Sequence, residues 1–194
     1  MITSTSLLDG LRRSPQDQAL WKRLFDIYEP WIARQLRSRW NLSAADVDDL
    51  TQEILAFVSG ELGGFFRERT GSFRTWLRHV IANRARGFLR KRQVRERHVG
   101  SSHDDEWLSQ LADDRSELAR RWDEEHNEFV VRRLLETIAA GNNDIHVRAF
   151  RRHVLDGEPA AAVAAELGVT PNVVFLAKSR ILAQAREWLH GLLD

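Results

Sequence analysis

A chain of 194 residues, 43% hydrophobic and 29% charged, is long enough for one or two small cored domains and too apolar to stay disordered. It holds no cysteine, which excludes a disulfide framework and any thiolate metal site and fits a reducing compartment. The formal net charge of +1 hides a partition: residues 1–97 carry 18 Arg and Lys against 11 Asp and Glu, residues 98–128 carry 3 against 10, and residues 129–194 carry 8 against 7. That reads as a basic body, an acidic connector and a nearly neutral second body.

The opening residues are polar and short, without the basic start and apolar stretch of a signal peptide. No apolar run approaches the roughly 18 residues of a membrane span. A cytoplasmic protein without membrane insertion is expected. Apolar residues recur at three and four, and alternating β-branched runs are missing, so an all-α fold is expected. Ser14-Pro15 suggests a helix start, with the helix running to about Arg39 and Pro30 kinking or dividing it. Ser43 and Asp46 have capping-box spacing and open a helix to about Leu62, ended by Gly63-Gly64. A loop, GGFFRERTG, follows, with Phe65 and Phe66 read either as stacking surfaces for single-stranded bases or, the favoured reading for each by itself, as core aromatics. Ser72 caps the next helix, to about Arg97. Residues 98–114 read as an acidic linker where proteolysis should cut first. A helix over about 115–140, a break at Gly141-Asn142-Asn143, and three short helices (roughly 143–155, 159–167 and 171–190) complete the chain.

The helix beginning FRTWLRHVIANRARGFLRKR puts Phe73, Trp76, Leu77, Val80, Ile81 and Phe88 on one broad side, with Arg74, Arg78 and Arg86 elsewhere. Cations at its C-terminal end suit the helix dipole. Residues 84–97, however, hold seven cations and one acid, a density that makes better sense facing a polyanion, where each neutralised phosphate releases counterions. In the preceding helix Val47, Leu50, Ile54, Phe57 and Val58 form an apolar stripe. Asp49, Gln52, Glu53 and Ala56 lie opposite, as a solvent-facing surface or a protein-docking face.

Near the C-terminus, Ala161, Ala162 and Ala165 permit close helix approach, Gly168 can supply a left-handed cap, and Thr170-Pro171 opens a longer helix. This pattern fits a helix-turn-helix. Its second helix would present Asn172, Phe175, Lys178 and Ser179, burying Val174, Ala177 and Ile181. In a major groove Asn172 could pair with adenine, Phe175 could meet a thymine methyl, and Lys178 would hold phosphate.

These residues resemble bacterial sigma factors of the sigma-70 family, in particular the small extracytoplasmic-function (ECF) group. DVDDLTQEILAFV is similar to the region-two helix that docks on RNA polymerase. SFRTWLRHVIANRARGFLRKR is similar to the helix that engages the −10 promoter element, and the C-terminal helices are similar to region four, which reads the −35 element. The resemblance implies a region-two-like domain at 1–97, a linker at 98–114 and a region-four-like domain at 115–194. It implies polymerase binding by Asp48, Asp49, Gln52 and Glu53, and −10 contacts by Arg74, Arg78, Asn83, Arg84, Arg86, Arg90, Lys91 and Arg92. The −35 contacts would come from Thr170, Asn172, Phe175, Lys178, Ser179 and Arg180. Residues 63–72 would form the loop that captures an unpaired base, a step that offsets an unstacking cost of a few kcal/mol. Core RNA polymerase and promoter DNA are the implied partners, and an anti-sigma factor is allowed. Two features depart from the family pattern. Gly87 stands where an acidic residue is common, and Phe175-Leu176-Ala177 stands where Lys-Ser-Arg is common, with Lys178-Ser179-Arg180 one turn later.

A free-standing helix-turn-helix regulator with an N-terminal oligomerisation domain is the competing reading; only the sigma reading needs the acidic docking face. An enzyme is rejected. His79, His98, His103, His126, His146, His153 and His190 form no metal-binding pair, and no phosphate loop or nucleophile elbow occurs. No catalytic residue, metal site or cofactor is expected.

Overall fold

The computed structural model describes residues 6–68, 72–96, 102–140, 145–189 and 192. Among these it is all-α, without a strand. Two compact units are separable, one comprising residues 7–129 and 191–194, the other residues 1–6 and 130–190.

The first unit opens with a helix the sequence reading missed, α1 (Leu7–Arg13), which buries Leu7, Leu8 and Leu11. α2 (Gln18–Arg39) is capped by Asp17, whose carboxylate accepts from the Ala19 and Leu20 amides at 2.9 and 3.2 Å. Ser14-Pro15 instead lies in the turn between the two helices, where the Trp21 indole N–H donates to the Pro15 carbonyl at 2.8 Å. The start is therefore corrected to Gln18. Pro30 sits inside an undivided helix, whose buried stripe of Leu24, Ile27, Tyr28, Trp31, Ile32 and Leu36 continues past it.

α3 (Ala44–Glu68) begins as expected: the Ser43 hydroxyl accepts from the Asp46 amide at 3.1 Å and donates to the Asp46 carboxylate at 2.8 Å. It does not stop at Gly63-Gly64 but continues to Glu68. Two glycines weaken a helix by about 1 kcal/mol each, and Leu62 and Phe65, packed inward on either side of them, offset that cost. α4 (Phe73–Glu96) is capped by Ser72, which accepts from the Thr75 amide at 3.2 Å. α3 packs on α2 and α4, and α1 packs on α2.

The acidic segment is not an unstructured linker. It contains α5 (Ser102–Ala112), which packs on α4 and buries Leu108 and Leu111 completely. Leu108 and Leu111, three apart, are the inward face of a helix whose other positions, Trp107 and Ala112 apart, are charged or polar; that short apolar repeat was hidden by the acids around it. α6 (Glu117–Ala140) follows, capped by the Ser116 hydroxyl, which accepts from the Ala119 amide at 2.9 Å. Trp122 and His126 are buried in the first unit's core, and the division between units falls within α6, after Phe129. The compact N-terminal unit thus extends past residue 97.

In the second unit, α7 (Ile145–Phe150) runs into one π-helical turn (Arg151–Leu155), followed by α8 (Ala160–Leu167) and α9 (Pro171–Leu189). α7 packs on α9 and α8, and α8 packs on α9. The expected break at 141–143 lies outside the described residues.

An aromatic cluster centres the first unit. Trp31 meets Trp122, His126 and Phe129 at ring distances of 5.5, 5.7 and 5.1 Å, and Tyr28 meets Phe73 at 5.5 Å. His126 Nδ1 lies 3.2 Å from Asn127 Oδ1, an acceptor, so Nδ1 carries the proton. Nε2 then accepts from the Tyr28 hydroxyl at 3.2 Å. Burial holds Tyr28 well above the usual phenol range and pushes the His126 pKa down to about 4. The unfolded imidazole, titrating near 6.5, takes up its proton before the folded one. This contribution is therefore intact above pH ~6.5, shrinks as pH falls, and is exhausted near pH 4, a loss of about 3 kcal/mol. Urea unfolding at pH 7 and pH 5 should show it. His126→Gln, which keeps an acceptor for Tyr28, should flatten the dependence; an unchanged slope would assign the acid sensitivity elsewhere.

Candidate nucleic-acid interface

α4 has two electrostatically different halves. In its first two turns the arginines are already occupied. Arg78 is among the largest fully buried side chains, 1% exposed. Its Nε donates to Asp123 at 3.2 Å, one terminal nitrogen donates to Asp114 at 2.8 Å, and the other donates to the Leu111 carbonyl. Arg74 pairs with Asp123 at 3.3 Å and donates to Asn127 at 3.1 Å. His79 reaches Asp114 at 3.0 Å. Burial alone would raise the Asp114 carboxyl, but the bonds from Arg78 and His79 outweigh it and hold it below the ordinary value.

The expected placement of Arg74 and Arg78 on an open, DNA-facing surface is therefore corrected. Both turn toward the acidic segment, because two carboxylates and a helix-terminal carbonyl there match a guanidinium's donors.

The other half of α4 differs. Asn83, Arg90 and Lys91 are exposed, and Arg84, Arg86 and Arg92 partly so. Arg84 sits over the Phe57 ring, 3.9 Å from its centre, with Glu53 accepting from it at 3.4 Å. Asn83 accepts from Arg86 at 3.1 Å, and Arg92 donates to the Asn41 carbonyl at 3.3 Å. Between α3 and α4 a groove of about 470 Å³ is lined by Glu53, Phe57, Trp76, His79, Val80, Asn83, Arg84, Gly87 and Lys91. It brings together a cation, a flat aromatic surface and an amide, the groups that stack on a base and neutralise its phosphate. Trp76 and Phe57 as groove walls were missed in the sequence, although their place beside Arg84 follows from the i, i+4 spacings 53–57 and 76–80 once α3 and α4 are known to pack. Phe65 is half-buried, 5.2 Å from Trp76 and 5.8 Å from Phe73, as a core aromatic should be. The Phe66 side chain and residues 69–71 of the expected capture loop lie outside the described residues, and residues 63–68 are helical.

On α3 the expected stripe of Val47, Leu50, Ile54 and Val58 is buried, with Phe57 half-buried under Arg84. Asp48, Asp49, Gln52 and Glu53 are exposed on the other side. Asp48 pairs with Arg37 at 3.6 Å, and Gln52 donates to Glu29 at 3.4 Å. Glu53 turns toward α4 through Arg84, so the four do not act as one uniform face.

In the second unit α8 ends at Gly168, left-handed at φ 67°, whose N–H caps Ala164 and Ala165 carbonyls. The chain bends by 107° from α8 to α9. Val174, Ala177 and Ile181 are buried, and Thr170, Asn172, Phe175, Lys178, Ser179 and Arg180 are exposed. Ala161, Ala162 and Ala165, expected at the helix contact, are exposed; Val163 and Ala164 make it instead. Arg152, in the π-helical turn, holds Glu158 through both carboxylate oxygens and Glu166 at 2.7 Å. These bonds raise the Arg152 pKa and lower that of Glu158.

Among the described residues no group of acidic or histidine side chains could hold a metal ion, and no single helix is long and apolar enough to cross a membrane. Residues 24–95, spanning most of α2 through most of α4, match the family model Sigma-70 region 2. No curated protein and no solved structure matched the chain. The match to Sigma-70 region 2 covers the three packed helices that carry the groove and leaves the second unit unmatched.

Proposed function

We propose that this chain is a sigma factor of the ECF type, which brings core RNA polymerase to particular promoters. Asp48, Asp49 and Gln52 on α3 would dock on polymerase. The C-terminal half of α4, with Asn83, Arg84, Arg86, Arg90, Lys91 and Arg92, would hold the −10 element. α8 and α9 would act as a helix-turn-helix on the −35 element, and no step requires catalysis or a cofactor. The observation that carries this reading is the region-2 match across the helices that hold the cation-rich C-terminal half of α4. Melting would follow from capture rather than chemistry: the groove beside Arg84 offers an unstacked base both an aromatic wall and a cation.

The test is co-purification with core RNA polymerase followed by run-off transcription from genomic fragments. Stable association and new start sites are expected. A chain that binds duplex DNA but never polymerase would instead be a free-standing regulator.

Binding to the −10 strand should fall with salt. Arg90→Ala, Lys91→Ala and Arg92→Ala together should flatten the slope of log affinity against log salt by roughly one unit per lost phosphate contact. Arg92, already bonded to Asn41, should give the smallest share. An unchanged slope would show that this block only decorates the surface.

A further inference from the structure

We infer that Leu176, with Phe175 beside it, makes α9 a detector of thymine methyl groups in the major groove. This rests on the reading of α8 and α9 as a helix-turn-helix. Val174, Ala177, Ile181 and Ala185 are buried and mark the inward face of α9. At 100° per residue the face opposite them belongs to Asn172, Leu176 and Ser179, all exposed. The outermost large apolar residue is thus Leu176, 44% exposed, which lies where the sequence pattern would put a polar contact. Phe175, 52% exposed, stands on its flank.

Phe175 is held there. The His153 ring meets it edge-on at 5.8 Å. His153 is itself fixed, its Nδ1 donating to the Glu158 carbonyl at 2.8 Å, and Glu158 is gripped by Arg152. The π-helical turn thus braces an exposed aromatic ring instead of letting it fold onto the core.

An exposed apolar pair on a braced helix marks a contact surface. The charge around it points to DNA rather than to an apolar protein face: Lys178 and Arg180 are exposed on either side of it, and the segment Pro171–Arg186 contains no acidic residue. On a major-groove floor the one apolar group on a base edge is the methyl of thymine. An isobutyl side chain on the outermost line of the helix fits that group and offers nothing to guanine or cytosine.

The test uses the full chain with core polymerase and a library of random-sequence duplexes fused upstream of a fixed −10 element. The preferred upstream sequence is then resynthesised with each thymine replaced in turn by deoxyuridine, which removes the methyl and keeps the base pair. At one or two positions affinity should drop about fourfold per methyl, the equivalent of burying one carbon group. Leu176→Ser should erase that sensitivity at one position and Phe175→Ala at its neighbour. Lys178→Ala should weaken every duplex alike and keep it. Circular dichroism should show all three variants folded, since each side chain is exposed. Indifference to deoxyuridine at every position, with upstream selectivity intact, overturns the inference and leaves the helix-turn-helix reading standing. No upstream selectivity at all overturns both. Loss of polymerase association in the Leu176→Ser, Phe175→Ala double variant would assign the pair to a protein contact and also overturn it.

Discussion

Arg78→Ala is expected to cost about 3–5 kcal/mol of stability, the largest effect of any single substitution considered for this protein. The side chain is a fully buried cation whose donors reach three acceptors: Asp123 on α6, Asp114 in the turn before it, and the carbonyl of Leu111 near the end of α5. Its removal leaves the buried Leu111 carbonyl without this donor, and leaves Asp123 with Arg74 and Asp114 with His79 as their remaining partners. Arg78→Lys should recover little, because one ammonium cannot match a fork spread over three directions. Thermal unfolding with intact DNA-binding slopes in surviving protein is the expected signature. An unchanged melting temperature with weakened DNA binding would put Arg78 back on the phosphate surface and overturn its structural assignment.

The second large effect concerns polymerase. Asp49→Arg together with Glu53→Arg should abolish co-purification with core polymerase while helicity is kept, since both side chains are exposed on α3 opposite the buried Leu50 and Ile54. The geometry also separates the two sites. Glu53→Arg places a cation against Arg84 and should disturb the groove as well as any docking. Asp49→Arg touches neither, so on its own it should lower polymerase binding at least tenfold and leave −10 affinity unaltered. If Asp49→Arg binds like wild type and only Glu53→Arg fails, α3 contributes through the groove and not through docking.

Features written in a few neighbouring residues were legible in the sequence. Ser43 with Asp46, Ser72 with Thr75, and Gly168 before Thr170-Pro171 each act over three or four positions, and each forms as its spacing implies. The buried sides of α3 and α9 were equally legible, because a 3.6-residue period is a local property. What escaped depended on distance or on competition. Nothing near Arg78 reveals that Asp114 and Asp123, 36 and 45 residues on, will bury it. Ser14-Pro15 and Asp17 offer rival caps a few residues apart, and the choice went to the side chain that reaches two amides. α1 and α5 are short, with only two or three inward leucines apiece, and become helices by packing rather than by pattern.

The occupied arginines of α4 decide where this protein can be cut and rejoined. Composition suggests a module boundary near residue 97, yet a chimera joined there would forfeit Leu108, Leu111, Trp122 and His126 from its interior and strand Arg78 without counter-ions. The heritable, exchangeable piece therefore includes its acidic half, and a recombinant that swaps the first unit has to place its crossover beyond Phe129. The same coupling constrains how the chain can diverge: a change of charge at Arg74 or Arg78 has to be matched on Asp114 or Asp123, whereas Arg90 and Lys91, exposed on α4, carry no such constraint from α5 and α6.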